Sequence, residues 1–588
     1  MSIDTNTLQP IINFIWTVAD DVLINKYLEN QYQDVILPMT VLRRLDLALE
    51  PTKDKVLNTH EQFKKKIDNL SGLLSSKEHG SGLEFYNTSP YTMKKLLDDP
   101  ESIDSNLLNY LNGFSENVQD IIQKFKFRNQ LEIFEDTGIT YSLIEKFCSP
   151  KIELSPEKIS PMAMGYMFED LLRRFNEKTN AAAGRHFTPR EIIELMTHLV
   201  YLPVKDQIQQ GTYLVYDPCV GSGAMLTQSK KFATDSEGEI KSKATFHLYG
   251  QENTGEMYAV CKSDMLLKGE DPNKIKFGST LSKYGFDPNL KFNFMLTNPP
   301  YGTSWKEDQK ELNVGTDKKI EINDSRFNLD IRNSDGKKVK TCLTSRSNDG
   351  QLMFMLHMLS KMKDPKDGGS RIASVHNGSA LFTGDAGSGE SGIRQYLLEN
   401  DLLEAVIALP LEIFYNTAQP TYLLIISNNK KPSRKGKVQL IKADTFYKKR
   451  VKALGLKKND LTMDHINRIV ELFLDEDDNK FSKTFSNSNF GYFSVKISHS
   501  NKDFATGTEI KDFEYIPIKD DIDEYLKNEV YEYTPNAKPE KKSIKVGYSV
   551  NFIEKFHTAK KYRNISDIVH DIESLESKTM GLLEKVLK

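Results

Sequence analysis

Between residues 184 and 430, short β-rich runs alternate with longer helical stretches, and this rhythm constrains the fold more than any other feature of the chain. The runs fall at 213–216, 245–249, 292–296, 371–375, 405–408 and 421–426. Stretches of helical spacing, such as EIIELMTHLV and GQLMFMLHMLSKM, lie between most of them. Alternation of this kind predicts a parallel, doubly wound α/β sheet. The last two runs, joined by LPLEIFYNTAQP, read as a hairpin that adds an antiparallel strand at one edge.

The flanks differ in pattern. At 588 residues the chain exceeds what one compact core can organise, so two or three domains are expected. Residues 1–155 carry helical periodicity, with Ile36, Leu37, Val41, Leu45 and Leu49 at three- and four-residue steps. Residues 156–430 hold the alternating core and 431–588 a charged C-terminal region. Near its end Ile565, Ile568, Ile572, Leu575, Thr579, Leu582 and Val586 trace a coiled-coil seam with one polar member, which suits a partner helix or packing on the chain's own domain. Residues 302–349 interrupt the core with a polar stretch almost free of periodic hydrophobics, the pattern of a functional or disordered loop.

A net charge of −3 and a pI near 6.5 do not fit a protein that coats nucleic acid by bulk electrostatics. No apolar run reaches the roughly eighteen residues that a membrane span requires. The N-terminus lacks a signal-peptide pattern. The cysteines, Cys148, Cys219, Cys261 and Cys342, are too scattered for a zinc site or disulfide framework and suit a reducing cytoplasm.

The chemistry concentrates in a few motifs. In YLVYDPCVGSGAML a strand ends at Asp217, and Gly221 and Gly223 let the backbone pass close to a ligand before a helix starts. The pattern is neither GxGxxG nor a P-loop. In FHLYGQEN, Glu252 follows the second strand, where a carboxylate accepts ribose hydroxyls in doubly wound folds. Together they indicate a nucleoside cofactor that needs no phosphate cradle, a description that S-adenosylmethionine fits. In FNFMLTNPPYG the fourth strand runs into Asn298, Pro299, Pro300 and Tyr301. The Asn298 side-chain oxygen and the Pro299 carbonyl can each accept an N–H from an exocyclic amine and draw its nitrogen towards tetrahedral geometry. The prolines stiffen the turn, and Tyr301 offers a ring on which an extruded base can stack. In GRHFTPREIIELM, Thr188 reads as an N-cap, with Pro189 at the first helical position and Glu191 completing the box. GDAGSGESG, 384–392, reads as a loop in which Ser388 or Ser391 caps the next helix.

With RHFTPR, DPCVGSG, GQEN and NPPY in this order, the chain resembles the modification (M) subunit of type I restriction-modification systems, an adenine-specific DNA methyltransferase. The likeness extends to DVILPMTVLRRLD, MGYMFEDLLRRF, the stretch from RIASVHNGSALF to TYLLIISN, and the KVGY segment near 545. It implies a helical N-terminal domain, a doubly wound S-adenosylmethionine-dependent methyltransferase core and a C-terminal helical tail. Activity would be methyl transfer to the N6 amine of adenine in double-stranded DNA, without a metal. The implied partners are a specificity (S) subunit that chooses the site, a second copy of the chain and a restriction (R) subunit. By motif, Arg185, His186, Phe187, Thr188, Pro189 and Arg190 resemble the segment that holds the methionine part of the cofactor. Asp217, Gly221, Ser222 and Gly223 resemble its glycine turn, Glu252 its ribose ligand, and Asn298, Pro299 and Tyr301 the methyl-transfer site. One departure stands at KFGSTL, where such enzymes often place Asp beside the adenine ring and this chain has Ser279. A stand-alone adenine methyltransferase, a protein-glutamine methyltransferase and an idle scaffold are the alternatives. Chain length opposes the second, and the intact Asn298 and Tyr301 oppose the third.

Overall fold

The computed structural model describes residues 5–179, 188–316, 320–415, 417–502, 509–557 and 564–586. They form two compact units, 1–549 and 550–588.

In the first unit the strands are β1 (Thr212–Asp217), β2 (Thr245–Glu252), β3 (Ile275–Phe277), β4 (Phe294–Thr297), the hairpin β5 (Asn328–Arg332) and β6 (Lys338–Cys342), β7 (Arg371–Asn377), β8 (Leu403–Ala408), β9 (Thr421–Ser427), β10 (Lys437–Lys442), the hairpin β11 (Lys448–Leu454) and β12 (Lys457–Asp460), and β13 (Ser482–Ser486). Nine of them make the central sheet, in the order β13-β10-β8-β9-β7-β4-β1-β2-β3. β1 pairs in parallel with β2 on one side and β4 on the other, so the strand order reverses at β1. The ends of β1 and β4 therefore open a crevice at the switch point, where doubly wound sheets bind ligands.

The expected hairpin of β8 and β9 is antiparallel, but it is not an edge. β9 is inserted between β8 and β7 and runs antiparallel to both. Its TYLLIIS is apolar on both faces and buried almost throughout, which suits an interior position. The sheet also continues past residue 430, through β10 parallel to β8 and β13 antiparallel to β10. Beyond it, β14 (Gly491–Lys502) pairs with β15 (Glu509–Pro517), β16 (Lys538–Pro539) and β17 (Lys545–Tyr548). β17 docks on the helix Gly389–Glu399: Tyr548 N–H donates to Ser391 Oγ at 3.0 Å, and Arg394 Nε donates to the Tyr548 carbonyl at 2.6 Å. Ser388 caps that helix by accepting from the Ser391 amide.

The described residues of the 302–349 segment are structured. They fold as the helix Lys306–Leu312 and the β5–β6 hairpin, with Trp305, Ile322, Phe327 and Leu343 packed in one cluster with Leu352, Met353 and Ile393. So few anchors carry no periodicity, and the sequence pattern hides them.

Helices make up most of residues 5–179, and they share a core with the sheet layer. Met257, Ala259, Val260 and Leu266, on the helix Gly255–Leu267, join the cluster formed by the N-terminal helices. Lys262 Nζ on that helix pairs with Asp120 at 2.6 Å. Arg44, buried in the helix Gln33–Leu49, donates to the carbonyls of Leu154 and Ile159, tying down the segment that leads into the helix Pro161–Thr179.

The second unit contains the helix Ile565–Val586. Ile565, Ile568, Ile572 and Leu575 of the seam are exposed, as is Val569. The side chains of Leu582 and Val586 lie outside the described residues. Among the described residues, no helix is long and apolar enough to cross a membrane.

One ion pair locks the centre of the sheet. Arg371 Nη2 on β7 meets Glu404 Oε2 on β8 at 2.7 Å across the intervening β9, and Arg371 Nε donates to the Val200 carbonyl at 3.0 Å. Removing one partner of such a pair leaves a buried charge uncompensated. Glu404→Ala is therefore expected to cost about 3–5 kcal/mol, read from urea unfolding, and Arg371→Met with Glu404→Leu to cost far less.

Candidate active site

β1 ends at Asp217, and the chain turns through 218–223 into the helix Ala224–Thr234. Gly221 and Gly223 take φ of +53° and +82°, a region that side chains disfavour. A Cβ at Gly223 would also stand 2.8 Å from Met265 Cε and 2.9 Å from Cys261 Sγ. The turn thus lies against the helix Gly255–Leu267, and its other side walls a cavity shared by Asp217, Glu252, Thr188 and Asn298.

Glu252 holds this turn. Its Oε2 accepts the Gly221 amide at 3.0 Å and its Oε1 the Thr254 amide at 2.9 Å. Burial raises its pKa, while backbone donors from Thr254, Gly221 and Asn253 pull it down. Each oxygen retains a lone pair for a hydroxyl ligand. Asp217 is buried, and its Oδ1 accepts from Thr297 Oγ1 at 2.7 Å and from the Cys219 amide at 2.9 Å. Burial pushes its pKa up to about 7, against the pull of those two bonds.

Two residues that the motifs point to act differently from expectation. The helix after FTPR starts at Arg190, one residue later than the capping pattern predicts, and the Pro189 carbonyl accepts its first amides. Thr188 does not cap it. Its Oγ1 accepts from Asn298 Nδ2 at 3.0 Å. Glu191 closes no capping box and instead pairs with the buried Lys457 at the turn of the β11–β12 hairpin. Arg190 Nη2 donates to Glu169 Oε1 at 2.9 Å, and Ser222 Oγ donates to the same oxygen at 2.8 Å. Glu169, on the helix Pro161–Thr179, also walls the cavity. Its pKa is raised by burial and lowered by the Arg190 charge. Sequence reasoning passed over Glu169. The available signal was a carboxylate within MGYMFEDLLRRF, flanked at helical spacing by the buried Met164, Met167, Phe168, Leu171, Leu172 and Phe175.

Asn298 is 8% exposed, and its Oδ1 has no hydrogen-bond partner among the described residues. Because Thr188 takes the amide nitrogen, that oxygen is the end left for the cavity. Pro300 also walls the cavity, and the turn is fixed beyond it: Gly302 N–H donates to Asp349 Oδ1 at 3.1 Å. Asp349 Oδ2 accepts in turn from Gln351 and Ser379. Tyr301 is only 5% exposed and packs with the core around β1 and β4 rather than on the cavity wall. The aromatic wall is supplied by Trp305 and Phe354. Arg185, His186 and Phe187 lie outside the described residues.

The Asp217 value carries a pH prediction. A carboxyl whose folded pKa is raised from 3.8 to about 7 favours the fold below that window and loses the benefit as pH rises through it. Asp217→Asn keeps the acceptor without the charge. Its stability relative to the parent chain is expected to rise between about pH 5 and 7 and then to level off, measured by urea unfolding at each pH.

The N-6 DNA methylase family model matches residues 160–491, and the HsdM N-terminal domain model matches 11–147. The chain is 25% identical over 493 residues to the MjaIX methylase subunit of the type I restriction enzyme of Methanocaldococcus jannaschii, covering 78% of this chain and 76% of that one. It is 24% identical over 390 residues to the HindI methylase subunit of Haemophilus influenzae, covering 64% and 73%. In fold it is similar to the methyltransferase subunit of a type I restriction-modification system from Streptococcus thermophilus, with a TM-score of 0.57, 21% identity, and 82% and 96% of the two chains covered. It is also similar to a modification subunit from Vibrio vulnificus, with a TM-score of 0.52, 15% identity, and coverage of 89% and 98%.

Proposed function

Because the chain belongs to the N-6 DNA methylase family, we propose that its cavity binds S-adenosylmethionine and that Asn298 and Pro299 present the N6 amine of an extruded adenine to it. The activity is that of an adenine-specific DNA methyltransferase, and the role is that of a type I modification subunit.

The buried, unpartnered Asn298 Oδ1 carries the reading. An orphaned buried oxygen costs about 1–3 kcal/mol unless a ligand donor meets it. The donor set suits the cofactor as well. Glu169, Asp217 and Glu252 bring acceptors to a ligand that carries an ammonium, ribose hydroxyls and a sulfonium, and nothing lies within 4 Å of the space beside Gly221. When bound, S-adenosylmethionine supplies an electrophilic methyl group.

The chain's own residues do the rest. Asn298 Oδ1 accepts one N–H of the amine and the Pro299 carbonyl accepts the other. The nitrogen lone pair is thereby drawn out of the ring and turned towards the methyl donor, so positioning replaces a strong base. Thr188 is a positioning residue, because its hydroxyl accepts from the Asn298 amide nitrogen and so holds Oδ1 towards the cavity. Glu252 takes the ribose hydroxyls. Glu169, steadied by Arg190 and Ser222, takes the amino group of the methionine part, to which Arg185, His186 and Phe187 also belong in this reading. Tyr301 stacks on the extruded base only after its ring leaves the core, a gain of roughly 1–3 kcal/mol against the few kcal/mol spent on flipping.

The partners follow from charge and from the second unit. A chain of net charge −3 needs help to grip duplex DNA, and a specificity (S) subunit would provide both grip and site choice. The exposed apolar stripe of the helix Ile565–Val586 supports its docking there. A second copy of the chain and a restriction (R) subunit complete the assembly in this reading, in the cytoplasm.

Asn298→Ala is expected to hold S-adenosylhomocysteine affinity within a few fold while abolishing adenine methylation by the assembled complex. Loss of cofactor binding in calorimetry would make Asn298 a cofactor ligand instead. Thr188→Val should lower kcat by roughly ten- to a hundred-fold with little change in KM for the cofactor, whereas Thr188→Ser retains the rate. A chain ending at residue 563 should fold normally and fail to pull down the specificity subunit. Undiminished association would remove the terminal helix from the interface.

A further inference from the structure

We infer that Asp308, held by Ser279, selects the adenine ring of the cofactor by accepting its 6-amino group. The assignment rests on the reading of the cavity as an S-adenosylmethionine site and names the group within it that reads the base.

The base must lie beyond Glu252, towards β3. A ribose ligand at the end of β2 places the sugar there, and the loop after β3 is drawn alongside by the Gly278 amide, which donates to the Glu252 carbonyl at 2.9 Å. Gly278, Ser279, Thr280 and Leu281 all wall the cavity. The loop is stiff. Gln251 Nε2 donates to the carbonyls of Gly278 at 3.0 Å and Lys283 at 2.8 Å, and Gln251 Oε1 accepts the Gly285 amide at 3.1 Å.

Ser279 cannot read the base by donation. Its hydroxyl gives its one hydrogen to Asp308 Oδ1 at 2.5 Å, and Ser282 Oγ donates to the same oxygen at 2.6 Å. Thr280 Oγ1 is likewise committed, to the Pro218 carbonyl. Asp308 is itself part of the cavity wall, and its Oδ2 has no hydrogen-bond partner among the described residues. The side chains of Ser279, Thr280 and Asp308 thus present lone pairs and no free hydrogen. Such a wall accepts a 6-amino group and repels a 6-oxo group. Trp305, whose Nε1 donates to the Arg346 carbonyl at 3.0 Å, supplies an apolar face in the same cavity.

The carboxylate therefore comes from the helix Lys306–Leu312, in the segment after NPPY, and not from the strand-end position that Ser279 occupies. A salt bridge of 2.7 Å between Lys283 and Glu311 ties this helix to the same loop.

The test uses the full chain and two ligands that differ only along one edge of the base, S-adenosylhomocysteine and S-inosylhomocysteine, which carries a 6-oxo group and a protonated N1. Calorimetry should show the parent chain preferring the amino form by about a hundred-fold. Asp308→Asn keeps the shape and adds a donor. It should weaken S-adenosylhomocysteine and strengthen S-inosylhomocysteine, moving the ratio at least about ten-fold towards parity. Asp308→Ala should weaken the first ligand and flatten the ratio. Variants that melt like the parent chain and keep its ratio would overturn the assignment while leaving the cofactor reading intact. A parent chain that binds neither ligand would overturn both.

Discussion

The amide of Asn298 could face the cavity with either end; the hydroxyl of Thr188 accepts from Nδ2 at 3.0 Å and leaves Oδ1 for the cavity. This orientation leaves a buried oxygen without a partner among the described residues, and the proposed methyl transfer depends on that oxygen. Thr188 stands outside the helix Arg190–Tyr201, whose cap position is taken by Pro189. A hydroxyl spent on capping would have been unavailable. The position of a helix start, set by one residue, thus reaches the reacting atoms.

The cavity is rich in carboxyls and poor in cations. Among the described residues Glu169, Asp217, Glu252 and Asp308 wall it, and the guanidinium of Arg190 is turned to Glu169. Burial raises the pKa of the first three, so the site holds negative potential at a cost that a cationic ligand would offset. The arrangement disfavours phosphate, in keeping with a glycine turn that lacks a P-loop lysine. Specificity would then rest on hydrogen-bond direction more than on charge, as the Ser279–Asp308 pair illustrates.

Much of this was legible in the chain. Strand runs, the glycine turn, the Glu after β2 and the NPPY corner are local patterns, each dictated by backbone geometry within a few residues. What escaped was non-local. β9 reads as an edge strand because its hairpin link to β8 is visible, while its pairing with β7 is not. The 302–349 segment looks unstructured because Trp305, Phe327 and Leu343 fill a cluster without any period. Glu169 and Asp308 enter the site from the helices Pro161–Thr179 and Lys306–Leu312, outside the four site motifs, and no spacing rule marks them as part of it. Tyr301 was read correctly as an aromatic at the corner, but its ring packs inward.

The helix Gly255–Leu267 serves two masters. One side backs the glycine turn, where Cys261 and Met265 press on Gly223, and the other contributes Met257, Val260 and Leu266 to the interior of the amino-terminal helices. The boundary that motif patterns suggest near residue 155 therefore separates two regions that share one apolar cluster. A catalytic fragment excised there would carry an oily scar directly behind its ligand loop and would lose Asp120, the counter-charge of Lys262. The two regions are distinct as patterns of letters and joined by the apolar cluster behind the glycine turn.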